Sequence, residues 1–261
     1  MANVRSHVVV VIPVRYGSTR FPGKPLAQIG RKPLVQQIHD RVVAVCGVAR
    51  VIVATDDERI FSVVTSFGGT AMMTGKNLRT GSDRVAEIAQ EVPADVYINL
   101  QGDEIPLAPG FLEDLILPFV ASDADVGTLK RAMTDVRELV DPNVVKVVTD
   151  EQGYALYFSR SPIPYVRDDR GGAPSIIRGL HWKHLGVYAY TREALVRFAG
   201  LRAGSLEESE QLEQLRLLEG GIPIRVWETH HESLRIDTPD DLKQAEQILK
   251  TGEAAWQNSS L

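Results

Sequence analysis

Short apolar runs alternate along this chain with longer segments whose apolar residues recur at helical spacing. Runs at 8–12, 50–54, 70–73 and 96–100 are four or five residues long and dominated by apolar, largely β-branched side chains, which predicts strands buried on both faces of a parallel sheet. Between them, 33–45, 57–66 and 82–91 predict helices. A helix over 110–119 follows, then strands near 125–132, 144–148, 154–158 and 185–190, a helix at 207–219, a strand at 222–227 and a last helix at 239–250. The pattern predicts an α/β fold with a doubly wound, three-layer nucleotide-binding sheet. Asp168 to Ile177, with Gly171, Gly172 and Pro174, reads as a mobile loop. One domain over 1–252 is expected, with a tail at 253–261 that frays from Thr251. No internal repeat interrupts it.

The first strand ends at Pro13 and releases a glycine-punctuated loop that carries Arg15, Arg20 and Lys24. In open α/β sheets the carboxyl ends of the strands face the ligand crevice, so three fixed cations there suit a nucleoside triphosphate. Arginine offers planar forks and lysine a point charge, two complementary grips on phosphate oxygens. The loop is not a P-loop: five residues separate Gly17 from Gly23, and Pro25 follows Lys24 where a Ser or Thr would serve a metal. No GxGxxG follows the strand, which disfavours a dinucleotide-binding dehydrogenase. A solvated surface turn remains the plain alternative for the cations.

The strand at 96–100 runs into Gln101-Gly102-Asp103-Glu104. A carboxylate at such a strand end suits Mg2+, which takes one or two carboxylates, substrate phosphates and waters. Asp237, in Arg235-Ile236-Asp237-Thr238-Pro239, offers a second acid, and Thr238 reads as the N-cap of a helix entered through Pro239. Helix-end stabilisation is the alternative role for Asp237. Asp56 and Asp57 read as helix caps rather than ligands. The pairs His181 and His184, and His230 and His231, lack further ligands at suitable spacing, so no zinc is assigned.

A net charge of −5 without a basic stripe argues against nucleic acid, and 44% hydrophobic content in 261 residues suffices for one substantial core. Cys46 is the single cysteine, so no intrachain disulfide forms. Neither a signal peptide nor a membrane span is predicted, which leads to the expectation of a cytoplasmic protein with no membrane partner.

Nine stretches together resemble the 3-deoxy-manno-octulosonate cytidylyltransferase family, the CMP-Kdo synthetases of lipopolysaccharide biosynthesis. They are IPVRYGSTRFPGKPL (12 to 26), VATDDERI (53 to 60), TGSDRVAE (80 to 87), INLQGDE (98 to 104), PNVVKVV (142 to 148), GYALYFSRSPIPY (153 to 165), HLGVYAY (184 to 190), LEQLRLLE (212 to 219) and IDTPDDL (236 to 242). The resemblance implies a sheet of the nucleotide-diphospho-sugar transferase type with a small dimerisation subdomain. It implies transfer of CMP from CTP to the 2-hydroxyl of Kdo with release of pyrophosphate, assisted by Mg2+ on Asp103 and Asp237. Arg15, Arg20 and Lys24 map to the triphosphate clamp. Pro13, Val14, Ser82 and Arg84 map to the CTP pocket, and Gln101, His184, Tyr188, Glu213 and Gln214 to the sugar acid. The segment from about 155 to 225 is implied to form the contact of a homodimer beside the sugar site.

From spacing alone, His184 and Tyr188 equally suit a half-buried strand, and Glu213 with Gln214 an exposed helix face. Arg235 departs from the family pattern, which has a glycine near this position, so a bulky cation stands beside the expected metal site. Related readings remain: activation of 8-amino-Kdo, sialic acid or a sugar phosphate, or a catalytically silent sugar-nucleotide-binding subunit. The presence of Asp103, Arg15 and Lys24 weighs against the silent form.

Overall fold

The computed structural model describes residues 7–17, 21–167 and 176–258, with the backbone alone over 251–258. Arg20 and most of the loop expected at 168–177 therefore lie outside the described residues. In chain order the elements are β1 (Val8–Val14), a 3-10 turn (Lys24–Leu26), β2 (Gln28–Ile29), β3 (Lys32–Pro33), α1 (Leu34–Val43), β4 (Val48–Thr55), α2 (Glu58–Ser66), β5 (Thr70–Met73), α3 (Gly81–Glu91), β6 (Val96–Asn99) and β7 (Glu104–Pro106). They continue through α4 (Gly110–Val120), β8 (Val126–Ala132), α5 (Val136–Val140), β9 (Lys146–Thr149), β10 (Ala155–Ser159), β11 (Trp182–Tyr190), α6 (Arg192–Gly200), α7 (Ser205–Glu210), α8 (Leu215–Glu219), β12 (Arg225–Glu228), β13 (Ser233–Arg235) and α9 (Pro239–Asn258).

β1 divides the core. Val8, Val10, Ile12 and Val14 pack with α1, α4 and α9, whereas Val9 and Val11 pack with α3, α6 and α8 on the opposite face. That period-two alternation inside an apolar run is what a strand covered on both faces requires, and it gives the expected three layers. β1 pairs in parallel with β4 and β6, and β5 adds to β4. Pro13 is tolerated within β1 because Val11 accepts from Leu100 N on the β6 side and β6 then ends. The missing N–H of Pro13 therefore faces a gap rather than a neighbouring strand.

β11 is the pivot of the site. It is antiparallel to β6 through Tyr188–Tyr190 and to β9 at Lys183, while β8 covers its other edge. Between Leu185 and Tyr188 the register with β8 shifts, so the strand bulges where it leaves one partner for the next. The opening between β6 and β9 is the mouth of the cleft.

Three expectations about boundaries are corrected. The helix expected at 207–219 is two helices, because Gln211 adopts a left-handed conformation with φ 53° and ends α7. The last helix continues to Asn258 instead of fraying from Thr251. The strand expected at 185–190 starts at Trp182, which adds His184 to the sheet.

Candidate active site

The carboxyl ends of β1 and β6 open into a cleft of about 710 Å³. Gly102 makes their approach possible: a Cβ there would sit 2.1 Å from Val14 Cγ1 and 2.8 Å from the carbonyl oxygen of Pro13. Pro13, Val14 and Arg15 line one side of the cleft, with Arg15 exposed. Gly23 turns the loop with φ 71° and donates its N–H to Tyr16 O at 3.0 Å, which delivers Lys24 to the cleft floor as a buried side chain.

Two short strands converge on that floor. β7 and β13 pair antiparallel with Glu104 opposite Arg235, and Ile236 N donates to Asp103 O at 2.9 Å. Asp103 immediately precedes β7 and Asp237 lies just beyond β13, so the ribbon brings the two acids together. Lys24 Nζ donates to Asp103 Oδ2 at 2.8 Å and to Ile236 O at 2.7 Å, and lies 3.5 Å from Asp237 Oδ1. Asp237 is further placed by the start of α9, where Asp241 Oδ2 accepts from Asp237 N and Thr238 N, and Thr238 Oγ1 accepts from Asp241 N. Thr238 thus caps α9 as its sequence indicated.

Both carboxylates meet one cationic centre, and their donors are hard oxygens of the kind Mg2+ prefers. Among the described residues no cluster of three or more His, Cys, Asp or Glu stands ready to enclose a metal. Two carboxylates would suit an ion whose remaining coordination comes from phosphates and water.

The opposite wall comes from β11 and the α7–α8 break. His184 N donates to Val145 O at 2.8 Å, and its ring stands edge-on to Phe158 at 4.9 Å. The single proton of Thr128 Oγ1 is directed to carbonyl oxygens, Val187 O at 2.7 Å being nearer than Leu185 O at 3.2 Å. That leaves Thr128 Oγ1 to accept from His184 Nε2 at 3.0 Å, so Nδ1 is the unprotonated nitrogen. Burial, reinforced by the charge of Arg235, lowers the His184 pKa to about 3, and the ring is neutral. The Tyr188 hydroxyl is buried with no hydrogen-bond partner within bonding geometry among the described residues, and burial pushes its pKa up.

Glu213 and Gln214 line the cleft beside Gln101. Ser82, expected at the nucleotide, does not line it: it is fully buried, donates to Glu213 Oε1 at 2.9 Å and accepts from Asn99 Nδ2 at 3.0 Å. Ser82 therefore supports Glu213 from behind, and burial raises the Glu213 pKa. Arg84 does reach the lining, pinned by Thr74 at 2.5 Å and Asp56 at 2.7 Å. Asp57 caps α2 by accepting from Arg59 N at 3.0 Å, the structural role its position suggested.

Sequence reasoning did not single out Arg160, Lys183 or Lys146. Arg160 and Lys183 line the cleft, and both occur within or beside quoted motifs. Arg160 donates through Nε to Glu210 O at 2.7 Å and through Nη1 to Pro142 O at 2.9 Å. Lys146 is fully buried and donates to Asp141 O at 3.0 Å, Val144 O at 2.7 Å and Arg160 O at 2.5 Å. It ties the 141–144 turn to Arg160 across the wall. Lysines with all three protons on backbone carbonyls carry no sequence signal.

A lysine set between two carboxylates at the strand ends of a three-layer α/β sheet, beside a polar wall, is an arrangement suited to a nucleotidyltransferase, and the chain matches the Cytidylyltransferase family over residues 9–226. It is 48% identical over 250 residues to the 3-deoxy-manno-octulosonate cytidylyltransferase of Trichlorobacter lovleyi, covering 94% of this chain and 99% of that relative. The corresponding protein of Geobacter sulfurreducens is 46% identical over 251 residues, covering 94% of this chain and all of the relative. The chain belongs to the 3-deoxy-manno-octulosonate cytidylyltransferase family. A solved CMP:2-keto-3-deoxy-manno-octonic acid synthetase complexed with CTP superposes with a TM-score of 0.87 at 42% identity, covering 94% of this chain and 99% of that one. The inositol-1-phosphate CTP transferase of T. maritima, at 15% identity with a TM-score of 0.64 over 97% of this chain and 98% of its own, shares the fold.

Proposed function

We propose that this chain transfers CMP from CTP to the 2-hydroxyl of Kdo, giving CMP-Kdo and pyrophosphate for lipopolysaccharide biosynthesis in the cytoplasm. The observation that carries the reading is the Lys24 ammonium set between Asp103 and Asp237 at the carboxyl ends of β1 and β6. The match to a synthetase solved with CTP supports the nucleotide. The sugar oxygen forms a bond to the α-phosphorus as the bond from that phosphorus to the bridging oxygen breaks. The hydroxyl proton is released, and pyrophosphate leaves with the electron pair.

No covalent intermediate is needed, so the protein's work is positioning and charge neutralisation. Arg15, Arg20 and Lys24 grip the triphosphate. The backbone of Pro13 and Val14 lies against the cytosine, with Arg84 at the same pocket. Asp103 and Asp237 hold Mg2+, which supplies charge neutralisation on the phosphates. Gln101, His184, Tyr188, Glu213 and Gln214 bind the sugar acid, a polyhydroxylated ligand that needs several neutral donors and acceptors. With its pKa near 3, His184 is too weak a base to hold a proton at neutral pH and acts by hydrogen bonding. A homodimer joined through about 155–225 is supported by Leu156 and Tyr165, which are 63% and 86% exposed.

The direct test follows label from α-phosphate-labelled CTP into product with Kdo, 8-amino-Kdo and sialic acid as acceptors. Label in the Kdo product confirms the reading. Label only with another acid replaces the acceptor, and label with none of them refutes the transfer.

A further inference from the structure

Asp237 is held from two sides by protein cations. The Lys24 ammonium lies 3.5 Å from Oδ1, and Arg235 Nε lies 3.2 Å from Oδ2. Lys24 is also anchored by Asp103 and the Ile236 carbonyl, whereas the Arg235 side chain is 58% exposed at the cleft. The register of β13 sets Arg235 opposite Glu104, yet Glu104 is buried and accepts the hydroxyl of Ser233. Asp237 is the carboxylate that Arg235 takes. Among the described residues, the cations Lys24 and Arg235 are set against the acids Asp103 and Asp237 here.

We propose that Arg235 weakens divalent-cation binding at Asp237 and so sets the metal concentration at which the site fills. A guanidinium on Oδ2 withdraws charge from the carboxylate and repels a second cation brought to it. Either the ion binds against that repulsion or Arg235 must first swing away, and both lower the affinity. Because the pair is partly solvated, the effect is modest, about two- to fivefold. The inference rests on the assignment of Asp103 and Asp237 as the ligands.

The test measures Mn2+ binding to the full chain by the loss of the free-ion paramagnetic resonance signal, alongside the shift in melting temperature that Mg2+ causes. Arg235→Gln should bind Mn2+ about two- to fivefold more tightly than the parent and show the larger Mg2+-induced stabilisation. Arg235→Lys, which keeps the charge, should stay near the parent. Equal or weaker binding by Arg235→Gln overturns the proposal. Asp237→Asn separates the two levels of the argument: if it binds Mn2+ as well as the parent, the ligand assignment itself fails, whereas loss of binding there with no gain in Arg235→Gln defeats only the role of Arg235.

Discussion

The ammonium of Lys24 lies 2.8 Å from Asp103 Oδ2, although 79 residues separate them in the chain. One comes from the loop after β1 and the other from the end of β6, so the contact closes the floor of the cleft. Lys24→Met removes the cation and leaves two carboxylates facing each other. Turnover should fall by about 10²–10³ while CTP affinity falls less, because a charge acting on the transition state is lost. Asp103→Asn should lose turnover to a similar extent with its fold intact. Initial rates and circular dichroism check both.

Gly102→Ala should damage fold and activity together. The added Cβ, 2.1 Å from Val14 Cγ1 and 2.8 Å from Pro13 O, forces β1 and β6 apart where the nucleotide is expected. The cost should be about 1–3 kcal/mol, read from denaturant unfolding.

His184 makes stability depend on pH. Its folded pKa is lowered to about 3 by burial, below the ordinary histidine value of 6.5. The unfolded chain therefore binds the extra proton between those values, and stability declines as pH falls below about 6.5. The raised carboxyls of Glu104 and Glu213 act in the opposite sense, so the comparison must be with a variant. Between pH 7.5 and 5 the parent should lose about 1–2 kcal/mol more than His184→Gln, measured by urea unfolding at each pH.

Lys146→Met should report on the wall. It deprives three backbone carbonyls of their donor, which costs about 1–3 kcal/mol for each group left unsatisfied and out of reach of water. Asn143, Val144 and Arg160 line the cleft on the side of His184, so in the folded fraction the KM for the sugar acid should rise more than that for CTP. Paired KM measurements decide it.

Much of the architecture was legible because β1, β4 and β6 are apolar runs too short for helices, and because Asp57 and Thr238 are real caps. The loop after β1 and Asp103 could be placed at the cleft from their position at strand ends. What was hidden is long-range. β7 and β13 are three residues each and pair across more than a hundred residues, too short for any periodic pattern, yet they bring Asp237 to Asp103. The left-handed Gln211 that splits the helix before Glu213 has no residue signal of the kind glycine would give. The resemblance mapped Ser82 to the CTP pocket, but no pattern showed which way it faces: Thr80 caps a helix that starts at Gly81 and Ser82 is fully buried against Glu213 and Asn99.

The most direct test of the central claim is pyrophosphate release from CTP and Mg2+ with and without Kdo. The account predicts release that depends on Kdo and is lost in Asp103→Asn. Release that ignores the sugar acid, or that survives in Asp103→Asn, would contradict it.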